Sequence, residues 1–180
     1  SNIVSASNIR EKIKNNIDVK KYINYDPTFN KINEDLLFNL IKYKIITDKD
    51  LSKYLTVDEG IEYKLIKEIV SCKNLDELIN KIKSKRYTFN RIRRMLIHIL
   101  IGLTKEDRKK CNIEYVKVLG FDKIGQNYLK NIKSDILISS KIPNTYLTRK
   151  YELVSSKVYD IIANTNTYIY EISNKPIRKD

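Results

Sequence analysis

The sequence has few of the residues that break helices or bridge distant segments. It contains four glycines, three prolines, two cysteines and no tryptophan in 180 residues. So few glycines and prolines favour a mainly helical fold. Cys72 and Cys111 lie far apart and show no metal-ligand spacing, which argues against a disulfide scaffold or a zinc site. We therefore expect a helical protein of the reducing cytoplasm.

Long hydrophobic runs are also missing. No apolar stretch approaches the roughly 18 residues of a membrane-spanning helix, and the N-terminus lacks the layout of a secretory signal. We therefore expect no membrane partner. The single histidine, His98, stands among leucine and isoleucine residues, and we interpret it as a packed structural side chain.

Acidic residues are scarce relative to basic ones. The 35 lysines and arginines against 22 aspartates and glutamates leave a net charge of +13, which favours polyanionic partners. A lysine-rich composition alone could produce such a charge, so a purely structural helical domain is one alternative. However, four of the eight arginines lie between Arg86 and Arg94. A general lysine bias does not explain this cluster, and the guanidinium fork suits phosphate oxygens.

Hydrophobic periodicity predicts a mostly α fold, a helical bundle with a small α/β element in the C-terminal third. "IEYVKVLGFD" and "DILISSKIP" read as strands around the helix "KIGQNYLKNIK", and this strand-helix-strand order predicts a small parallel pairing. "DVKKYINYDPTFNKIN" reads as a loop. The other predicted helices are "SASNIREKIKNN", "EDLLFNLIKYKII", "DKDLSKYL", "DEGIEYKLIKEIVSC", "NLDELINKIKS", "TFNRIRRMLIHILIGLTKED" and "TRKYELVSSKVYDIIANTN". Their expected N-caps include Ser7 or Asn8, Asn74 and Thr88.

The stretch "KIKSKRYTFNRIRRMLIHIL" carries the densest positive charge at the start of the most apolar helix. Arginines in the first two turns oppose the helix dipole by roughly 0.3–1 kcal/mol each, and a bound polyanion would relieve this. Arg91 and Arg94 are expected to lie together, with Arg93 directed toward Arg86 and the preceding loop. The candidate RNA-binding residues are Lys83, Lys85, Arg86, Arg91, Arg93 and Arg94.

Two aromatic residues, Tyr87 and Phe89, are interleaved with these charges. They could stack on unpaired bases, or they could pack beneath the helix. The sequence leaves both alternatives open.

A second pattern, "VSASNIREKI", opens the chain. Ser5 and Ser7 supply hydroxyl groups, the following helix supplies backbone amides, and Arg10 supplies a forked cation. Together these groups suit a phosphate. The alternative is an ordinary serine-capped helix.

"SASNIR" resembles the S-[AS]-[ST]-x-[IL]-R signature of HIGH-superfamily nucleotidyltransferase domains. "DEGIE", "KSKRYTFNRIRRMLIHILIGL" and "YVKVLGFDKIGQNYLKNIK" resemble, in the same order, segments of the bacterial tRNA(Met) cytidine acetate ligase family. The resemblance implies ATP with Mg²⁺ as cofactor, acetate as substrate and elongator tRNA(Met) as partner. It also implies that acetate is activated as acetyl-adenylate and transferred to N4 of the wobble cytidine.

The resemblance implies three regions. Residues 1–17 would end the nucleotidyltransferase domain, 18–110 would form a helical RNA-binding region, and 111–180 would form the α/β element and closing helix. No H-x-G-H motif is present, so we expect a C-terminal portion without the N-terminal catalytic half, inactive alone. No catalytic residue and no metal site is carried over. The alternative is a non-catalytic RNA-binding helical module.

Overall fold

The chain divides into two units, residues 1–31 and 32–180. The structure, a computed structural model, describes residues 5–23, 32–173 and 175–179. In the first unit, α1 spans Ala6–Lys14 and is capped by Ser5, whose hydroxyl accepts a hydrogen bond from the Asn8 amide at 3.2 Å. The prediction that Ser7 or Asn8 caps this helix is therefore wrong. Part of the predicted loop over residues 18–33 lies outside the described residues.

The first part of the second unit is helical. Its helices are α2 (Glu34–Thr47), α3 (Ile61–Ile69), α4 (Leu75–Ile82), α5 (Phe89–Ile101) and α6 (Lys105–Lys110). α2 and α4 begin as predicted, because the side chains of Asn33 and Asn74 accept backbone hydrogen bonds at the helix starts. The short helix α6 was not predicted as a separate element. The predicted helix "TFNRIRRMLIHILIGLTKED" is too long at its end, because Gly102, with φ 76°, caps α5.

One apolar face of each longer helix faces a common core. The most deeply buried side chains are aliphatic, and they include Ile41, Ile45, Leu65, Ile69, Leu78, Ile79, Ile92, Met95, Leu96 and Ile99. Full burial of each such side chain contributes about 1.5–3 kcal/mol to folding. Cys72 also lies in this core, as predicted, and both cysteines are free.

The segment "DKDLSKYL" is not helical, contrary to prediction. Asp48 ends α2, and its carboxylate binds Lys44, Lys53 and the hydroxyl of Tyr54 instead of allowing a new helical turn. The chain then forms turns, and Tyr54 pairs with Thr104 in an isolated antiparallel bridge. The backbone amide of Asp50 donates to the Asp48 carboxylate at 3.3 Å and that of Ser52 to the Asp50 carboxylate at 2.9 Å, and these bonds compete with helical hydrogen bonds, which accounts for the difference.

The C-terminal third contains the predicted strand, helix and strand. These are β1 (Tyr115–Lys117), α7 (Lys123–Asn131) and β3 (Leu137–Ser139), and β1 pairs with β3 in parallel. A second parallel pair was not predicted. It joins β2 (Gly120–Phe121) to β4 (Ile177–Arg178), and a Cβ at Gly120 would lie 3.0 Å from the Ile177 carbonyl oxygen. The mostly helical fold with small parallel sheets confirms the coarse prediction, and a bundle arrangement stays a prediction.

Carboxylates hold the last two helices, α8 (Leu147–Ala163) and α9 (Thr167–Ser173). Glu114 accepts hydrogen bonds from the Thr148 hydroxyl and from backbone amides at the start of α8, and these bonds lower the pKa of the Glu114 carboxyl. Asp160 accepts the Thr167 amide at 2.6 Å and the Tyr168 amide at 2.8 Å at the start of α9. α8 is also attached by apolar packing, because Ile162 belongs to the buried core.

A buried arginine joins β1, α8 and α9. Arg149 is only 2% exposed, and its Nη1 donates to the carboxylates of Glu152, at 2.9 Å, and Glu171. Its Nη2 donates to the backbone carbonyl of Glu171 at 2.9 Å, and Lys117 also pairs with the Glu171 carboxylate. Burial raises the pKa of Glu171, but the bonds from Lys117 and Arg149 outweigh it, so the net pKa shift is downward. No helix among the described residues has the length and hydropathy needed to span a membrane.

Candidate nucleic-acid interface

The cationic start of α5 is built without the usual stabilising features of a helix N-terminus. Thr88 occupies the N-cap position, but its side chain makes no capping hydrogen bond, and the first turn carries no acidic residue. Arg91, Arg93 and Arg94 follow within the first two turns. The arginines and the helix dipole therefore repel one another at the start of α5, so this helix start must be stabilised by other contacts or by a bound anion.

Tyr87 and Phe89 pack into the protein. Tyr87 is 6% exposed, and its hydroxyl donates to the Asp58 carbonyl at 2.7 Å. Phe89 is partly buried against the core. The guanidinium of Arg91 lies 4.4 Å from the centre of the Tyr87 ring, in cation–π distance. The structure therefore favours packing beneath the helix over stacking on bases.

Two of the four clustered arginines are paired with carboxylates from distant segments. Arg86 contacts Glu59 at 2.7 Å, and Arg93 contacts Glu34 in the first turn of α2 at 3.1 Å. The expectation that Arg93 points toward Arg86 is therefore wrong. Arg91 is the side chain that reaches back, because its Nη1 donates to the Arg86 carbonyl at 3.2 Å.

The remaining cations of the cluster form no ion pair within the described part of the chain. These are Lys83, Lys85, Arg91 and Arg94. Lys83, Lys85 and Arg94 are exposed, and Arg91 is partly exposed above Tyr87. Lys81 is different, since it pairs with Glu77 at 3.2 Å. We name Lys83, Lys85, Arg91 and Arg94 the open cationic group.

The loop that carries Glu59 is strained and braced. Thr56 and Glu59 adopt left-handed backbone conformations, with φ of 68° and 60°, which cost a residue with a Cβ roughly 1–2 kcal/mol each. Lys105 holds the loop by donating to the Val57 carbonyl at 2.7 Å, and Tyr87 holds it through Asp58. We name residues 55–60 the strap loop. The predicted helix "DEGIEYKLIKEIVSC" is wrong at its start, because Glu59 and Gly60 have positive φ, which a right-handed helix excludes, and α3 begins only at Ile61.

His98 serves this loop from α5. Its Nδ1 lies 3.1 Å from the Thr56 hydroxyl and 3.2 Å from the Leu55 carbonyl. Desolvation lowers the pKa of His98, although the hydrogen bond to Leu55 opposes that shift. The histidine is therefore a packed structural residue, which agrees with the interpretation from sequence.

The second predicted site lies at α1, in the first unit. The Ser5 oxygen is occupied as the helix cap, while the Ser7 and Arg10 side chains are exposed. The first turn of α1 carries no acidic residue. An anion would therefore meet Ser7, Arg10 and the positive end of the helix without competition from a carboxylate in that turn. No cluster of three metal-ligating side chains occurs among residues 5–23, 32–173 and 175–179.

The sequence model of the HIGH Nucleotidyl Transferase family matches residues 1–175. The chain belongs to this family. Within it, the chain is 37% identical over 152 residues to the tRNA(Met) cytidine acetate ligase of Clostridium perfringens, covering 78% of this chain and 38% of that protein. It is 35% identical over 201 aligned positions to the ligase of Clostridium novyi, covering 98% of this chain and 49% of that protein.

Two solved structures have the same fold as this chain. The crystal structure of apo Thermotoga maritima TmcAL matches with a TM-score of 0.69 at 19% identity, over 98% of this chain and 51% of that one. The same protein bound to alpha-thio ATP matches with a TM-score of 0.69 at 20% identity, over 97% of this chain and 51% of that one. The chain thus spans about half the length of the relatives that it matches.

Proposed function

We propose that this chain forms the tRNA-binding part of a tRNA(Met) cytidine acetate ligase. The similarity to ligases of this name supports the proposal. In the intact enzyme, acetate attacks the α-phosphorus of ATP and releases pyrophosphate to give acetyl-adenylate. The N4 amine of the wobble cytidine of elongator tRNA(Met) then takes the acetyl group, with release of AMP and a proton. The reaction would take place in the cytoplasm. We assign no catalytic residue to residues 1–180, and the three predicted regions with boundaries at 17/18 and 110/111 remain part of the proposal.

The observation that carries the tRNA assignment is the open cationic group. Lys83, Lys85, Arg91 and Arg94 stand around one helix start without an ion-pair partner among the described residues. Each can neutralise a phosphate, and the helix dipole adds to the same field. Arg86 and Arg93, which also belong to the predicted tRNA-binding set, complete the surface once RNA phosphates replace their carboxylate partners.

The nearby aromatic rings are packed, so the surface binds the RNA backbone rather than stacking on bases. Tyr87 is buried, and Phe89 packs against the core. Contacts to phosphates position an RNA without reading its sequence. We therefore propose that this surface orients the anticodon arm, and that the choice of tRNA is made by other groups of the intact enzyme.

The ATP assignment concerns Ser5, Ser7 and Arg10. A relative of the same fold binds alpha-thio ATP, which supports a nucleotide site in the family. Because Ser5 caps α1, Ser7 and Arg10 are the side chains left to contact phosphate oxygens. ATP, with Mg²⁺, would supply the adenylyl group that activates acetate, and the role of this chain would be to bind and orient ATP.

Charge reversal tests the tRNA assignment. The variant Arg91→Glu/Arg94→Glu in the full chain should abolish binding of fluorescently labelled elongator tRNA(Met) measured by anisotropy. The matched control is Arg108→Glu/Lys109→Glu, which reverses two exposed charges in the last turn of α6. It should bind within about threefold of wild type, once circular dichroism shows that both variants are folded. Equal loss in the two variants, or none in the first, would contradict a specific role for α5.

A further inference from the structure

Two glutamates form ion pairs with arginines of the cationic cluster. Glu59 contacts the guanidinium of Arg86 at 2.7 Å, and Glu34 contacts that of Arg93 at 3.1 Å. All four side chains are largely solvent-accessible, with exposures of 69% and 41% for the first pair and 41% and 56% for the second. Since exposed ion pairs are weak, a phosphate that other contacts already hold in place can displace either carboxylate.

The two glutamates come from different elements. Glu34 contacts Arg93 within α5, and Glu59 contacts Arg86 in the segment before α5. Glu34 lies in the first turn of α2, where an acidic residue also favours the helix dipole. Glu59 lies in the strap loop just before Gly60, the N-cap of α3, but α3 has no side-chain cap hydrogen bond and the Glu59 carboxylate pairs with Arg86 instead. Its partner Arg86 precedes α5. A common helix-stabilising role therefore does not explain both carboxylates.

The backbone at Glu59 supplies an independent observation. Its φ of 60° lies in the left-handed region, which glycine or asparagine adopts at lower cost than glutamate. The loop is also anchored next to Glu59. Tyr87 donates to the Asp58 carbonyl, and Lys105 donates to the Val57 carbonyl and pairs with the Asp58 carboxylate. Strain that the surrounding structure maintains in this way is common at functional sites.

We propose that Glu34 and Glu59 are built-in competitors of RNA phosphate, which restrict the cationic surface to polyanions able to displace both of them. This inference rests on the proposed tRNA-binding function. A single phosphate or a short anion gains too little from Arg86 or Arg93 alone to replace a tethered carboxylate. An RNA that places several phosphates across the open cationic group holds its further phosphates next to both pairs.

The proposal predicts both affinity and salt dependence. Two exposed ion pairs of ordinary strength correspond to about 2- to 30-fold in an equilibrium constant, so Glu34→Gln/Glu59→Gln should bind tRNA tighter by about that factor. When RNA phosphates bind Arg86 and Arg93 in the wild type, the displaced carboxylates stay beside those phosphates and retain cations there, which offsets part of the counterion release from the RNA. In the variant no carboxylate remains, so the slope of log K against log salt should steepen by about 1.4–1.8.

The experiment measures anisotropy of labelled elongator tRNA(Met) with the full chain at five potassium chloride concentrations. The control Glu106→Gln/Asp135→Asn also removes two exposed acidic charges, and it breaks the Lys110–Glu106 pair on α6. The control should show less than half of the gain in log affinity and an unchanged slope. The single variant Glu59→Gln leaves α2 untouched and should show about half of the slope change, which keeps the test valid if the double variant is unstable.

The outcomes separate the two proposals. If wild type binds tRNA but Glu34→Gln/Glu59→Gln has the slope of wild type, or gains no more affinity than the control, the competitor proposal is overturned and the pairs are structural. If wild type shows no salt-dependent tRNA binding at all, the proposed function itself fails. Tighter binding with a steeper slope in the glutamate variant alone supports the competitor role.

Discussion

Replacing Glu171 by glutamine tests whether the folded protein needs the Glu171 carboxylate to compensate the buried positive charge of Arg149. The change keeps the size of the side chain but removes the negative charge that Arg149 and Lys117 share. Removing one partner of a buried ion pair costs about 3–5 kcal/mol, because an uncompensated charge remains. Glu152 and the backbone carbonyl of residue 171 still accept hydrogen bonds from Arg149, so we expect a smaller loss of stability, about 2 kcal/mol.

For a chain of this size, about 2 kcal/mol corresponds to a decrease of roughly 4–8 °C in melting temperature. Circular dichroism at 222 nm during heating at pH 7 measures it. Arg149→Met is the matched variant, because it fills similar space and removes the buried charge itself. It should cost less than Glu171→Gln, since the carboxylates that it leaves, 45% and 26% exposed, can be hydrated.

The ranking of the two variants decides the argument. If Arg149→Met is the more destabilising, the hydrogen bonds of the arginine outweigh the cost of burying its charge. If Glu171→Gln melts within about 1 °C of wild type, the pair contributes nothing to the attachment of α9, and the reasoning from burial is wrong.

Three further predictions follow from described contacts. The pKa values of Glu114 and Glu171 are lowered in the folded chain, so the stability that these carboxylates contribute is present above the unfolded pKa of about 4.3 and is lost as the pH falls through the folded values. Melting curves from pH 7 to pH 3 should show this loss, and the melting temperature of Glu171→Gln should fall less over the same pH range. Tyr87→Phe removes the hydrogen bond to the Asp58 carbonyl and should lower the free energy of unfolding by about 0.5–1.5 kcal/mol in urea titration, whereas no loss would show that the strap loop does not depend on this bond. Arg10→Ala in the complete enzyme should weaken ATP use while tRNA affinity stays unchanged; full ATP use would assign Ser5 and its helix to capping alone.

Local signals predicted the elements that are stabilised locally. α4 begins at the predicted Asn74 cap, and α2 begins at the predicted Glu34 with acidic residues in its first turn, although its Asn33 cap was assigned to the preceding loop. The parallel pairing of β1 with β3 followed from the order strand, helix, strand. In each case the residues that determine the structure lie inside or next to the element.

Elements that depend on distant partners were missed. The β2–β4 pair joins residues near 120 to residues near 177, and α9 begins where Asp160 of the preceding helix caps it. The same holds for the site. The arginine cluster was evident from composition, but its partners Glu34 and Glu59 are set by tertiary contacts that no local pattern records.

The bare start of α5 has a consequence for the order of folding. α2 and α4 have their own caps and can form early, whereas α5 has no side-chain cap bond and begins against its own arginines. Its first turns become stable only after α2 and the strap loop have docked beside them. The arrangement of the cations at the start of α5 is thus expected to form late in folding, and a nascent or partly unfolded chain would expose these cations without the spacing that they have in the folded protein.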